Sequence, residues 1–445
     1  MTKTHEMKST LTLILPLMAA FLAQKGMQLI DTLMMGWLGP EALAAGAVGM
    51  AIFFTTLVFC MGTLSAVGVF ISRAKGADDK EDVSASLLNG IWLALFLSLP
   101  CVGVIWFAPH FFIHQENGAV IQNAAWLLHG LSIGLPGYLL FLVFREFLSA
   151  FSMTRIVMWV TAVSVPLTFL LNDVLIYGKW GLPRLGVSGI GYAGATVMWV
   201  MFLSLFFYSL GNRQLKEYFP DGFLMPSLMK MKDMLFIGVP SGTFFLLEAA
   251  MFLSAIMIIG HFGVDALASF QITMQCVNVA YAIPFSLAMA TALQVSHALG
   301  AGELTRIKKI ALQNFSLGIL FSLAVAIIFL LSPGFFIKLF LDDKSEHANA
   351  IRLASSFLMI AGFFVCLDAV QAIANGMLRG LKDTLVPMLL SVGCYWVVAL
   401  PAAWYLSFHT ALAARGVWYG ITIGICSLGA TLMLRLVKKL KSGRL

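Results

Sequence analysis

The chain has 445 residues, 60% of them hydrophobic and 11% charged, with a mean hydropathy of +0.92 and a formal net charge of +7. A soluble domain carries roughly a quarter charged residues, so this composition excludes one. In lipid the same chain can satisfy every backbone polar group by forming helices.

In chain order, residues 1–10 carry Lys3 and Lys8 and run into a long apolar segment with no small-residue cleavage site, which reads as a first, retained span. A span needs about 20 mostly apolar residues. That ruler predicts helices over 10–34, 45–71, 85–107, 121–144, 156–177 and 188–210. A second set follows over 235–259, 268–295, 308–331, 350–377, 384–407 and 414–436. The longest polar connector, 211–233, holds Pro220 and Pro226. It divides an N-lobe (1–210, helices one to six) from a C-lobe (234–445, helices seven to twelve) and serves as a cytoplasmic linker. The six cysteines, Cys60, Cys101, Cys276, Cys366, Cys394 and Cys426, lie in apolar stretches without paired spacing and read as small buried hydrophobes.

Charge asymmetry gives the orientation. With the N-terminus in the cytoplasm, twenty of the 28 Lys and Arg residues fall on that side, Arg379 among them. Six fall opposite (Lys179, Arg184, Lys338, Lys344, Arg352 and Arg415), and Lys25 and Arg145 lie within helices. This positive-inside bias predicts a multi-pass protein of the cell (inner) membrane with both termini cytoplasmic. The positive charge therefore reports topology and implies no nucleic-acid partner.

The chain also repeats. Shifted by 224 residues, Gly36–Ala44 falls on Gly260–Ala268, Pro16 on Pro240, Ser72–Ala77 on Ser296–Ala301, and Pro109–Ile113 on Pro333–Ile337. Each match alone is weak in an apolar chain; four at one offset, in the same order, are strong. Six helices per half make the repeats parallel, related by a pseudo-two-fold along the membrane normal, with a shared site between them. The expectation is an all-α membrane protein of about 12 spans in two six-helix lobes.

Ionisable groups inside a span are costly and mark function by default. Gln24, Gln28 and Asp31 share one face of helix one at i, i+4 and i+7. Glu248 sits midway along helix seven. Asp368 sits in helix ten, with Gln371 and Asn375 at i+3 and i+7, and helix eight adds a stripe of Gln271, Gln275 and Asn278. These faces are expected to line a cavity. At the 224 offset Asp31 falls on Ala255, Glu248 on Gln24 and Asp368 on Phe144, so the acids do not follow the repeat. A buried carboxylate can bind Na⁺ with nearby oxygens, carry a proton, or pair with a cationic substrate.

Other signals read as structural. Asp173 lies near an outer helix end, Lys25 can neutralise Asp31 or snorkel, and Arg145 with Glu146 suits a structural or gating ion pair. The run 78–82 reads as a solvated loop face. His110 and His114 have metal-compatible spacing, but structural zinc needs four ligands and no clear set is present.

Asp31–Gly36 followed by Leu38–Ala45 resembles the first-helix signature of the multidrug and toxic compound extrusion (MATE) transporters. Cys366–Gln371, Asn375–Gly376 and Leu378–Gly380 resemble the tenth helix of its NorM-like branch, and Pro240 with Phe245 and Glu248 resembles that branch's seventh. Tyr177–Gly181 and Gly191–Thr196 are similar to its fifth and sixth helices. The resemblance covers essentially the whole chain. It implies a MATE/MOP-type fold and an antiporter exchanging Na⁺ or H⁺ for lipophilic, often cationic, compounds by rocker-switch alternating access. By position it implies cation-linked residues at Asp31, Asn172 and Thr196 in the N-lobe, and at Glu248 and Asp368 in the C-lobe. Thr168 and Phe364 depart from the oxygen ligands of some relatives, which leaves the coupling ion and its number open.

No cofactor is implied beyond that ion, and no metal beyond a Na⁺ at those residues. The partners implied are small lipophilic or cationic molecules and membrane lipids, with the chain a monomer. A flippase of lipid-linked oligosaccharide is the alternative and would want a more basic cavity. A polytopic membrane enzyme would want a catalytic cluster near an interface, and none stands out.

Overall fold

A computed structural model describes residues 3–111, 118–219, 225–340 and 348–442. Among the described residues, twelve helices are long and apolar enough to cross a membrane. In the N-terminal half they are α1 (Lys3–Leu38), α2 (Pro40–Gly76), α3 (Lys80–Phe107), α4 (Gly118–Ala150), α5 (Thr154–Tyr177) and α6 (Val187–Gly211). In the C-terminal half they are α7 (Leu228–Gly260), α8 (Val264–Gly300), α9 (Leu304–Leu331), α10 (Ala348–Gly380), α11 (Leu385–Phe408) and α12 (Arg415–Ser442). No strand occurs among the described residues.

All twelve expected spans are present, and most begin earlier than apolarity alone suggests. The reason is capping. Gly39 takes φ 118° and breaks the chain, Pro40 then opens α2 at the position where a missing N–H costs nothing, and Glu41 meets the helix dipole. Asp79 caps α3 by accepting from the Asp82 N–H at 2.9 Å. Such first turns are polar, so a hydropathy ruler passes over them.

The duplication is present in the helix ends. α2 and α8 are both 37 residues and α3 and α9 both 28, each pair 224 positions apart. The α2–α3 turn places Asp78 at φ 57°, and the matching α8–α9 turn uses Gly302 at φ 71°. Beyond α3 and α9 the register changes. α4 and α10 are both 33 residues but start at Gly118 and Ala348, an offset of 230. Ser152 (φ 60°) and Lys382 (φ 58°) then match, each in the same hydrogen-bonded turn. The extra residues fall in the connection before α10. Asp368 is therefore the counterpart of Tyr138, and the expected match to Phe144 is corrected. An insertion had moved the frame.

The chain divides into two compact units, one comprising Lys8–Gly242 and the other Thr243–Leu445 with residues 1–7. The division falls inside α7, two residues past Pro240. In the first unit α4 is largely buried and packs through small residues: Gly130 meets the Gly191 backbone and Gly134 meets Ala195 on α6. A phenylalanine cluster (Phe144, Phe147, Phe202, Phe206 and Phe219) closes one end of this core. In the second unit α8 and α10 hold the buried positions, with Gly376 and Gly380 against the Ala288 and Ala292 carbonyls. Trp418, Phe270 and Phe364 pack together beside them. Outward faces are apolar, with Leu99, Trp159, Phe207 and Leu320 all exposed. A surface of that kind fits lipid rather than water, and the protein is multi-pass.

Close helix approach at Gly130 yields a test. A Cβ there would sit 2.7 Å from the Gly191 carbonyl carbon, whereas one at Gly103 would meet nothing within 4 Å. Gly130→Val should cost about 1–3 kcal/mol by overpacking. Thermal unfolding in detergent should show a lowered midpoint for G130V and an unchanged or slightly raised one for G103A.

Candidate functional site

The N-terminal unit brings Asp31 and Asn172 together. α1 carries Asp31 on its polar face and α5 carries Asn172, which is 0% exposed. The Asn172 amide donates to Asp31 Oδ1 at 2.8 Å, while Asn172 Oδ1 has no hydrogen-bond partner among the described residues. Buried polar atoms are normally satisfied, so this oxygen and the free half of the carboxylate form an incomplete polar site. Thr196 lies on an exposed face of α6, and its hydroxyl donates to the Tyr192 carbonyl of its own helix at 2.9 Å. Thr168 likewise donates to Ser164. Gln24 is half-buried and Gln28 exposed, with Lys25 Nζ donating to Gln28 at 3.4 Å and lying 4.8 Å from the Phe54 ring centre.

The C-terminal unit holds the second acid set. α7, α8 and α10 line a small pocket whose polar lining is Glu248, Tyr281, Gln371, Asn375 and Arg379. Asp368, 3% exposed, lies one turn before Gln371, and its Oδ1 has no hydrogen-bond partner among the described residues. Glu248 and Asp368 are near enough for their charges to act on each other. Gln371 donates to the Tyr395 hydroxyl at 3.2 Å, and Tyr395 reaches it from a π-helical turn, Val392–Ala399, inside α11. Such turns widen a helix locally and recur at functional sites. α5, the counterpart of α11, carries Pro166 at the place matching Trp396 in that turn.

Among the described residues no lysine or arginine forms an ion pair with Asp31, Glu248 or Asp368. The ion pairs that do form are elsewhere. Arg145 and Glu146 make a buried pair at 2.9 Å, as expected, and Asp173 is bound by Lys179 at 2.7 Å. Asp383 holds Arg435 at 3.0 Å and Lys439 at 3.1 Å. The run 78–82 is more engaged than a solvated face, since Asp82 pairs with Lys230 and Lys80 with Glu217.

The expected end of helix ten is corrected: α10 runs past residue 377 to Gly380, so Arg379 lies within the helix, 2% exposed at the pocket wall. The signal was present, because Arg379 continues the Asp368, Gln371, Asn375 stripe at i+11. Cys60 and Cys101 are free and buried, as expected, with their sulfurs 3.4 Å apart, whereas Cys426 is exposed. Gln271 and Gln275 are exposed and Asn278 half-buried, and none of the three lines the pocket. Phe364 packs edge-on against Phe252 and Trp418 as a core residue. No metal-holding group of His, Cys, Asp or Glu occurs among the described residues, and His114 lies outside them.

Comparison with known proteins agrees with this architecture. The MatE family profile matches residues 16–174 and 240–405. A protein of Pseudomonas putida named probable multidrug resistance protein NorM is 35% identical, with 95% of this chain and 92% of that protein aligned. A protein of the same name from Pseudomonas aeruginosa is 35% identical over 96% of this chain and 88% of its own length. Among solved structures, the outward-facing conformation of a multidrug resistance MATE family transporter of the MOP superfamily superposes with a TM-score of 0.88. That likeness covers 98% of this chain and 96% of the other at 21% identity, and so shows the fold.

The Asp31–Asn172 contact predicts energetic coupling. Asn172→Ala and Asp31→Ala should each destabilise the protein, by about 1–3 kcal/mol where a buried polar partner is stranded. The double variant should lose less than the sum of the two. Denaturant unfolding of the four proteins reads the interaction energy, and strict additivity would remove the contact from the account.

Proposed function

Because the chain belongs to the MatE family, we propose that it is a cation-coupled multidrug efflux antiporter that exchanges Na⁺ or H⁺ for lipophilic, often cationic, compounds. It is a multidrug transporter of the MATE type and not an enzyme, in line with its relatives named NorM. The observation that carries the coupling reading is the Glu248–Asp368 pair. Two mutually repelling carboxyl groups stand in spanning helices with no ion-pair partner among the described residues, and one oxygen is unsatisfied. Carboxylates so placed need a positive charge from outside the protein, which a coupling ion or a cationic substrate can supply in turn.

Asp31 with Asn172 forms the second, independent acid site. If ion and substrate take turns at one carboxylate, occupancy by one releases the other, and their fluxes are linked without further machinery. Alternating access follows if the two units expose these sites to one side at a time. The proposed setting is the inner membrane, with both termini cytoplasmic and the chain a monomer, on the support of the charge asymmetry described above.

The test uses proteoliposomes loaded with a cationic dye under separate Na⁺ and H⁺ gradients. At least one gradient should drive dye movement by the unmutated protein. Asp31→Asn, Glu248→Gln and Asp368→Asn should each lower it, with E248Q and D368N reduced to the empty-vesicle rate. Unchanged transport in all three variants would overturn the mechanism, and no gradient-driven movement by the unmutated protein would overturn the antiport itself.

A further inference from the structure

Lys25 takes neither of the roles that its sequence position suggests. It forms no ion pair with Asp31: its Nζ meets the Gln28 amide oxygen at 3.4 Å and two aromatic rings, Phe21 at 5.6 Å and Phe54 at 4.8 Å to the ring centre. Nor can it snorkel. The apolar span of α1 is Leu11–Leu38, so Lys25 stands 14 residues from its start and 13 from its end. That is about 20 Å of helix in either direction, far beyond a lysine stem. Phe54 on α2 lies 14 residues past Pro40 and so at the same depth. A side chain tilts towards the N-terminus of its helix, which carries Lys25 back over Phe21 and away from Asp31.

Two ring faces and an amide oxygen all present negative potential, the set that suits an ammonium. None of them is an anion, and 3.4 Å is long for a hydrogen bond. The ammonium is positioned but not neutralised. Gln24, Lys25, Gln28 and Asp31 stand at i, i+1, i+4 and i+7, within an arc of about 120° on α1. Gln28 is exposed, and the other three are half-buried. A mid-span face of this polarity looks into a polar or water-filled space rather than lipid. Asp31 has given one oxygen, Oδ1, to the Asn172 amide. α1 therefore presents a cation and an anion on one face, about 9 Å apart along its axis, and neither is answered by an opposite charge within the protein.

We propose that Lys25 is a specificity-determining residue for substrates that bear a carboxylate: its ammonium takes the carboxylate of a lipophilic zwitterion whose cationic end is taken by Asp31. A site with an acid alone favours purely cationic compounds and repels an anionic end. A lysine on the same face extends the range to zwitterions, both of whose charges need a partner once they leave water. Phe21 and Phe54 flank the ammonium as apolar surface for the substrate's own rings. The proposal deepens the multidrug efflux reading above and rests on it.

The probes are a cationic rhodamine dye bearing a free carboxylate and the methyl ester of the same dye. Fluorescence anisotropy gives the Kd of each with the purified, reconstituted full chain. The quantity read is the ratio of the ester's Kd to the acid's. Relative to the unmutated protein, that ratio should fall about tenfold in K25Q, through the loss of one charge-assisted contact, and hold in K25R. D31N should weaken both dyes together, because both carry the cation, and leave the ratio in place. K25M repeats the neutral substitution should K25Q fail to fold, and thermal unfolding verifies each variant. A ratio unchanged in K25Q or K25M overturns the proposal, as does an unmutated protein that binds the ester and not the acid. Failure of the efflux reading looks different: the ratio responds to Lys25 as expected, yet neither a Na⁺ nor an H⁺ gradient moves either dye in proteoliposomes.

Discussion

A carboxylate inside a lipid-facing bundle has no water to solvate it, and it must find its positive charge or its donors within the protein or from a passing ligand. Much of this structure is arranged around three such groups. Asp31 is given one amide donor, from Asn172, and the amide's own oxygen is left without a partner. Asp368 is buried with an unsatisfied oxygen, and Glu248 faces it within Coulombic range. The helices around them are packed closely enough, through Gly376 and Gly380 on Ala288 and Ala292, that relaxation cannot readily bring in a new partner. The unsatisfied oxygens are therefore held in place by the packing of the helices that carry them.

The two halves share a scaffold but differ in how they handle charge. Their second to fifth helices match in length and their turns match in left-handed residues, down to Ser152 with Lys382. Yet the face of α10 that bears Asp368, Gln371, Asn375 and Arg379 corresponds on α4 to Tyr138, Phe141, Arg145 and Ser149. One face is acidic with a cation at its end; the other is aromatic, with an arginine neutralised next door. Two repeats that share a scaffold thus present different charges on matching faces.

The fold was legible because lipid imposes a simple rule on sequence, namely about 20 apolar residues per span. Helix ends were less so, since the cap Asp79 and the first-turn Glu41 begin their helices with the polarity that a hydropathy ruler reads as loop. The acids stood out for the same reason the spans did. Their partners did not: Asn172 lies 141 positions from Asp31, and Tyr395 meets Gln371 only through a π-helical turn that no periodicity announces. Arg379 was read as a topology signal because it lay beyond the expected end of helix ten, although the stripe from Asp368 reached it. The six-residue change in register before α10 hid the match of Asp368 to Tyr138 for a different reason: a single offset cannot cross an insertion.

The central claim is that the Glu248–Asp368 pocket is completed by a cation. A ligand that binds the folded state alone raises its stability in proportion to occupancy. The most direct measurement is the thermal midpoint of the purified protein as Na⁺ replaces choline at constant ionic strength, repeated as the pH is lowered. The account predicts a midpoint that rises with Na⁺ or with protons in the unmutated protein and stays level in E248Q/D368N. A midpoint indifferent to both cations, or one that rises equally in the double variant, would contradict it.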